Sequence, residues 1–270
     1  MTLPILSVVV PGIRTHNWAK LYDSIELACK NYTFEVLFIG PFEPPREISN
    51  KITYFKDYGS PTRCTCIGMA SARGDMIYSP VDDGIMLEDS LDQAIDRFRL
   101  IDHPQKIMNI TYREGNEQNL LPMPPTYWKA SSFAYLPLIN PNWNIALHQL
   151  MYKSLYTEYG GLDSQFEHVN FALHDLAFRI QLCGGVVVNS PVDGCCASWY
   201  QGRTGDHAPI HDSHNEHDLP LFNAIYNNID ILKSRIRLDI NNWRLSPAIW
   251  SRRFSAEALP AKYSDLYGHL

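Results

Sequence analysis

Three short apolar runs rich in β-branched residues mark the first part of the chain, at 5–10 (Ile-Leu-Ser-Val-Val-Val), 34–39 (Phe-Glu-Val-Leu-Phe-Ile) and 76–78 (Met-Ile-Tyr). Turn residues close each one: Pro11-Gly12, Gly40-Pro41, and Pro80 ahead of Asp82-Asp83-Gly84. Near-continuous apolarity of this length predicts strands buried on both faces, as in a parallel sheet. Helical patterns fill the intervals. Asn17 is placed to cap a segment with Trp18, Leu21, Ile25 and Ala28 on one face. Ser60-Pro61 reads as cap plus first-turn proline for a stripe of Cys64, Ile67 and Ala70 that Gly74 closes. Ser90 and Gln93 resemble a capping box before Leu91, Ala94, Ile95 and Phe98. Strand, helix, strand, helix, strand, helix is the opening of a doubly wound α/β fold.

From about 105 to 160 the periodicity weakens, prolines cluster at 122, 124 and 125, and aromatics are frequent. This stretch reads as a substrate-facing half of short strands and long loops. Asn170 is expected to cap a helix carrying Leu173, Leu176, Ala177, Ile180 and Cys183, with Gly184-Gly185 ending it and a strand at 186–188. Positions 201–218 are polar, His-rich and loop-like, and a helical tail is expected at 219–237.

Composition narrows the class. The 270 residues are 45% hydrophobic and 19% charged, as in globular proteins. A formal net charge of −6 argues against a general nucleic-acid binder. No apolar run approaches the ~18 residues of a membrane span. The start lacks the basic head of a secretory signal, so the six irregularly spaced cysteines are expected to be reduced thiols in a cytoplasmic protein. A disulfide scaffold, a collagen, a coiled coil and a membrane protein are excluded on these grounds.

Four constellations carry chemistry. Asp82-Asp83 follow the third strand, where hard divalent cations find carboxylate oxygens; the alternative is a turn with local hydrogen bonds. His207, His211, His214 and His217 offer imidazoles at metal-ligand spacing, or a solvated loop. Asp175 reads either as a general base or as the i,i+4 partner of Arg179. Arg14, Arg63 and Arg203 stand at loop ends or in a first helical turn, where a guanidinium meets phosphate bidentately.

Taken in order, these features resemble the inverting glycosyltransferases of family 2, which have the GT-A fold. The resemblance runs through residues 6–11 (Leu-Ser-Val-Val-Val-Pro), the second strand at 34–39, the stretch from Gly59 to Gly74, Asp75-Met76-Ile77-Tyr78, Val81-Asp82-Asp83 at the D-x-D position, and Gly160-Gly161-Leu162-Asp163 followed by Asp175-Leu176 and Arg179. Three departures stand out. Val81 replaces the first aspartate of D-x-D, Gly40-Pro41 replaces an aspartate that reads the nucleobase, and Ala172-Leu173 align with the E-D pair whose aspartate is the base. No Q-x-x-R-W motif is present, which favours single-sugar addition.

The resemblance implies an α/β, GT-A-like fold: a doubly wound, mainly parallel sheet, a mixed acceptor-side half and a C-terminal helical tail. The catalytic domain would span 1–218, with a donor half to about 100 and an acceptor half beyond it, and 219–270 would pack on the same domain. The implied function is metal-dependent transfer of one sugar, with inversion, from a nucleotide-diphosphate sugar to a glycan or other hydroxyl acceptor. Mn²⁺ or Mg²⁺ would be held by Asp83 and His207, with Asp82 as a further ligand. Pro11, Gly12, Arg14, Gly59, Arg63, Asp82 and Arg203 would bind the donor. Asp175 would be the base, with Glu167 and His174 as competitors. Trp128, Trp143, Trp199 and Tyr200 are candidates for stacking on sugar faces. A nucleotidyltransferase and a degenerate glycan-binding domain are the alternatives.

Overall fold

The computed structural model of the protein describes residues 3–116, 119–197 and 205–254. The chain begins β1 (Leu6–Pro11), α1 (Thr15–Ala28), β2 (Phe34–Gly40), β3 (Thr53–Lys56), α2 (Pro61–Ser71), β4 (Met76–Tyr78), β5 (Gly84–Met86) and α3 (Ser90–Leu100). It continues with β6 (Lys106–Asn109), β7 (Tyr112–Asn116), β8 (Asn119–Pro122), β9 (Gln149–Tyr152), α4 (Lys153–Glu158), α5 (Val169–Leu182), β10 (Val186–Asn189) and β11 (Cys195–Ala197). The short helices α6 (Ala208–Ser213), α7 (Leu219–Tyr226) and α8 (Ile229–Arg235) follow, with a π-helical turn, His214–Asp218, between α6 and α7.

Seven strands form the main sheet in the order β10-β6-β9-β4-β1-β2-β3. β1 is parallel to both β2 and β4, and β2 to β3. Leu6, Val8, Val9 and Val10 of β1 are all fully buried, as an apolar run between two layers requires. Ser7 interrupts that run without a penalty: its hydroxyl donates to Glu35 Oε1 (2.6 Å) and accepts from Gly74 N–H (2.8 Å). The helix α2 packs on β1, β2 and α5, with Gly68 against Val9 and Ile39, while Trp18 of α1 stacks at 4.3 Å on Phe38, which alternates to the other face, so the sheet is covered on both faces. The antiparallel β9 sits between β4 and β6, and a second sheet, β5-β11-β7-β8, stands beside the first. The expected doubly wound, mainly parallel sheet with a mixed second half is present.

Local chemistry sets the helix ends. Ser60 Oγ accepts from Arg63 N–H at 3.1 Å with Pro61 in the first turn, as expected. Three starts differ from the pattern-based expectation. Arg14 rather than Asn17 precedes α1, and Asp89, at φ 58°, precedes α3. His168 rather than Asn170 caps α5, its Nδ1 accepting from Asn170 N–H at 3.1 Å. The edge strand β3, half-exposed and four residues long, carries no apolar run that would predict it and adds to the expected strands. The expected tail at 219–237 is two short helices, whose Phe222, Ile225, Tyr226 and Leu232 are buried. Beyond them the chain returns to the sheet: Ile249 bridges to Tyr58, and Trp250 N–H donates to Tyr58 C=O at 2.9 Å. Among the described residues no helix is long and apolar enough to cross a membrane.

One buried ion pair ties these layers together and corrects the assignment of Asp175. Arg179 on α5 is 0% exposed and donates to the carbonyls of Tyr159 (2.9 Å), Gly161 (2.6 Å) and Ile236 (3.2 Å). Gly160 and Gly161 both take φ +71° to bring those carbonyls round, a conformation that favours glycine. Asp175, also 0% exposed, supplies the counter-charge through Oδ2 to Arg179 Nε at 2.7 Å, while Tyr226 Oη donates to Oδ1 at 3.1 Å. Both oxygens are engaged away from any solvent-filled space, so no acceptor hydroxyl reaches them. Asp175 is the partner of Arg179, not a base. Replacing Asp175 with Asn leaves a buried guanidinium uncompensated, a change costing about 3–5 kcal/mol. We expect thermal unfolding of D175N roughly 10 °C below wild type; an unchanged Tm with lost turnover would restore Asp175 to the chemistry.

Candidate active site

A cleft of about 740 Å³ opens at the carboxyl ends of β1, β2 and β4, the position at which open α/β sheets receive ligands. Its floor is tightly built. A Cβ on Gly40 would overlap the carbonyl oxygen of Gly12, so the second strand ends in glycine to admit the β1 loop. Pro11, Gly12 and Gly59 line this floor, as expected of donor-side residues.

The loop after β1 is held by Asp82. Its Oδ2 accepts from the backbone N–H groups of Ile13 (2.7 Å) and Arg14 (2.8 Å), and its Oδ1 from Arg14 Nη1. Arg14 then gathers further groups around one guanidinium. Asp206 Oδ2 accepts from Nε at 2.8 Å, His207 Nε2 lies 3.3 Å from Nη2, and Asp83 Oδ2 lies 3.7 Å from Nη1. Burial disfavours the charged guanidinium, but Asp82, Asp83 and Asp206 outweigh it and raise the Arg14 pKa above its ordinary value. Partial burial pushes Asp206 up, yet Arg14 holds that carboxyl below the usual range. Three carboxylates around one guanidinium leave the cluster net negative.

The cleft is also lined by Glu114 on β7 and by His148 and His168. Burial and the nearby charge of Asp83 raise the Glu114 pKa. Burial also holds His148 down to about 4, Asp83 opposing it, and burial with the neighbouring His214 holds His168 down to about 3. Both imidazoles are therefore neutral at pH 7. Asp218, at the end of the π-helical turn, accepts from Glu167 N–H (2.9 Å) and His168 N–H (2.6 Å). That bond pair docks the 205–218 segment against the start of α5.

The structure thus gathers Pro11, Gly12, Arg14, Gly59, Asp82, Asp83 and His207 in one cleft, with His211 and His214 on its wall. It separates others. Arg63 is 3% exposed, pairs with Asp57 through Nε at 3.2 Å and donates to the carbonyls of Trp243 and Ser246. Its guanidinium faces the C-terminal segment, so it is a structural pair rather than a phosphate ligand. Glu167 is bound to Arg252 and lies outside the cleft. His174 packs between Phe133 and Phe178 and does not line the cleft. Trp128 and Trp143 belong to aromatic packing with Tyr112 and Phe178. Arg203, Trp199 and Tyr200 lie outside the described residues.

Asp82 is committed to the loop amides and to Arg14, so it does not fit a cation ligand. Asp83 and His207 also border Arg14, at 3.7 Å and 3.3 Å, and both line the cleft. Among the described residues no three His, Cys, Asp or Glu side chains are grouped to hold an ion by themselves. A cation here would draw its remaining ligands from water and substrate phosphates, the usual habit of Mg²⁺. Glu114, His148, Asp206, Trp250, Arg253 and Phe254 also line the cleft, and none belongs to a motif or periodic pattern in the sequence. The only signal for them is the aromatic-basic string Trp250-Ser251-Arg252-Arg253-Phe254 near the C-terminus.

No protein-family model and no curated protein matches the chain. Solved structures do. S. aureus TarS 1–349 in complex with UDP is similar at TM-score 0.52 and 12% identity, over 72% of this chain and 60% of that one. The UDP-GlcNAc complex of the same fragment gives TM-score 0.52 and 13% identity over 89% and 72%. A further structure of S. aureus TarS gives 0.54 and 12% over 97% and 50%, so this chain spans about half the length of that one. The fold of this chain is GT-A-like.

The neutral buried histidines generate a pH dependence. Below an ordinary pKa of 6.5 the unfolded chain takes up protons that folded His148, His168 and His174 refuse until about pH 4 or 3. Stability from these residues is complete above pH 6.5 and lost as pH falls toward those values. We expect Tm to decline between pH 7 and 5, and His174→Phe, which removes a buried Nδ1 without a hydrogen-bond partner, to flatten the decline. Equal pH slopes for H174F and wild type would contradict this account.

Proposed function

We propose that this chain transfers a single sugar from a nucleoside-diphosphate sugar to a hydroxyl acceptor, with inversion at the anomeric carbon. The observation that carries the reading is the carboxylate-guanidinium cluster of Asp82, Asp83, Asp206 and Arg14 at the strand ends of a GT-A-like sheet. The shared fold with TarS structures holding UDP and UDP-GlcNAc supports a uridine nucleotide as donor.

Asp83 and His207 would hold a divalent cation, which when bound offsets charge developing on the departing diphosphate. Asp82 fixes the loop that carries Arg14, and thereby the position of that guanidinium relative to Asp83. Glu114 takes the place of the base. Among the described residues it is the one lining carboxylate not drawn to Arg14, and Leu173 lines the cleft at the α5 position where the family aligns its aspartate. The acceptor hydroxyl gives its proton to Glu114 as its oxygen bonds to the anomeric carbon. The bond from that carbon to the diphosphate breaks on the opposite face. A carboxylate raised by burial suits this role, since a base works best with a pKa near the working pH.

Incubation with UDP-, GDP- and dTDP-sugars plus Mn²⁺ and a hydroxyl acceptor should release nucleoside diphosphate. Pyrophosphate release would indicate a nucleotidyltransferase, and sugar binding without release a glycan-binding domain. Asp83→Ala should remove most donor binding in calorimetry. Glu114→Gln should lower turnover by about 10²–10⁴ with donor affinity unchanged. Its loss should also abolish the acid limb of the rate profile, where activity falls as Glu114 protonates with decreasing pH. Turnover of E114Q within a fewfold of wild type would remove Glu114 from the mechanism.

A further inference from the structure

Among the described residues two guanidinium groups line the cleft, Arg14 and Arg253, and they differ in their surroundings. Arg14 is enclosed by Asp82, Asp83 and Asp206. Arg253 is half-buried, and among the described residues it makes no ion pair; Nη1 donates to the backbone carbonyl of Asp206 at 3.0 Å. A guanidinium carries five donors in a planar fork, so most of this fork is uncommitted.

The C-terminal segment is built to hold Arg253 there. Trp250 N–H is anchored on Tyr58 C=O, Phe254 packs edge-on against the Tyr58 ring at 5.5 Å, and the N–H groups of Arg253 and Phe254 both donate to Trp250 C=O. Trp250 is buried, and with Phe254 it adds apolar wall beside Gly59, while Arg253 reaches across toward Asp206 and His207. The segment thus extends from the strand-end floor to the carboxylate cluster.

We propose that Arg253 is the phosphate-binding cation of the donor subsite, delivered by residues 249–254 beyond α8. This inference rests on the nucleotide-sugar reading for its ligand, a nucleoside diphosphate, but its chemistry requires only a diphosphate. Arg14, enclosed by three carboxylates, organises the cleft; Arg253 feels Asp206 and Asp82 only beyond ion-pair distance, so its fork stays available to a ligand. Burial lowers its pKa by disfavouring the charged form, and an incoming diphosphate relieves that cost. Its fork matches two phosphate oxygens, and charge-assisted bonds of this kind are among the stronger ones. On this view the C-terminal segment is part of the active site and not only a covering layer.

The test is calorimetric titration of the full chain with UDP and, separately, with inorganic pyrophosphate, each with Mn²⁺, for wild type, Arg253→Met and Arg253→Lys. Thermal unfolding of each variant confirms folding. R253M should weaken both ligands by about ten- to a hundredfold, and R253K should recover part of the loss through charge without the fork. Equal affinity of R253M and wild type for both ligands would overturn the proposal, as would a loss confined to UDP. Should wild type bind pyrophosphate in an Arg253-dependent way but not UDP, the phosphate assignment stands and the nucleotide-sugar reading falls.

Discussion

The active-site region depends on the carboxylate of Asp82. It caps the backbone N–H groups of Ile13 and Arg14 and grips the Arg14 side chain, joining the loop after β1 to the turn after β4. Those two loops are far apart in sequence and adjacent only because β1 and β4 are parallel neighbours. A carboxylate with several bonds to backbone amides and a guanidinium is a strong, directional junction. Through Arg14 the junction extends to Asp206 and His207, and through Asp218 the segment holding those residues is tied to the start of α5. Remove Asp82 and four elements lose their common reference point.

Two arginine-carboxylate pairs show how burial separates structure from chemistry. Arg179 with Asp175 is shut away from water and satisfies three carbonyls from two segments, the turn at 159–161 and Ile236. Arg63 with Asp57 does the same for the turn before α2 and the C-terminal segment. Arg14 and Arg253 have the same chemistry and open onto a cleft. A buried charge without its partner is costly, so the closed pairs fix the fold, while the cleft-facing groups keep donors and acceptors available to a ligand.

Much of the fold was legible in the sequence, because parallel strands need long apolar runs and their crossovers need amphipathic helices. β1, β2, β4, α2 and α5 follow from the positions of Val8, Phe38, Ile77, Ser60 and Leu176. The strand β3 was hidden because Thr53 to Lys56 form a four-residue edge with only Tyr54 and Phe55 packed on the core, too short a run to show in the pattern. The site was legible where chemistry is local: Asp82, Asp83 and His207 announce themselves by spacing. It was misread where orientation decides. Asp175 and Leu173 both sit on α5 within one turn, and which of them faces the cleft depends on the position of Arg179's carbonyl partners, which no helical period reveals. Glu114 and Arg253 are single residues brought to the cleft by a second sheet and by the returning C-terminal segment, contacts of long sequence separation that leave no local signature.

The central claim is that this cleft binds a nucleoside-diphosphate sugar along the line from Gly59 to Asp83. A crystal structure of the chain grown with UDP-GlcNAc and Mn²⁺ tests it most directly. The account predicts the nucleoside over the ends of β1 and β2, the diphosphate between Asp83 and Arg253, and the sugar's anomeric carbon open toward Glu114. Nucleotide bound at another surface, or a diphosphate placed away from the Asp82–Arg14 cluster, would contradict it.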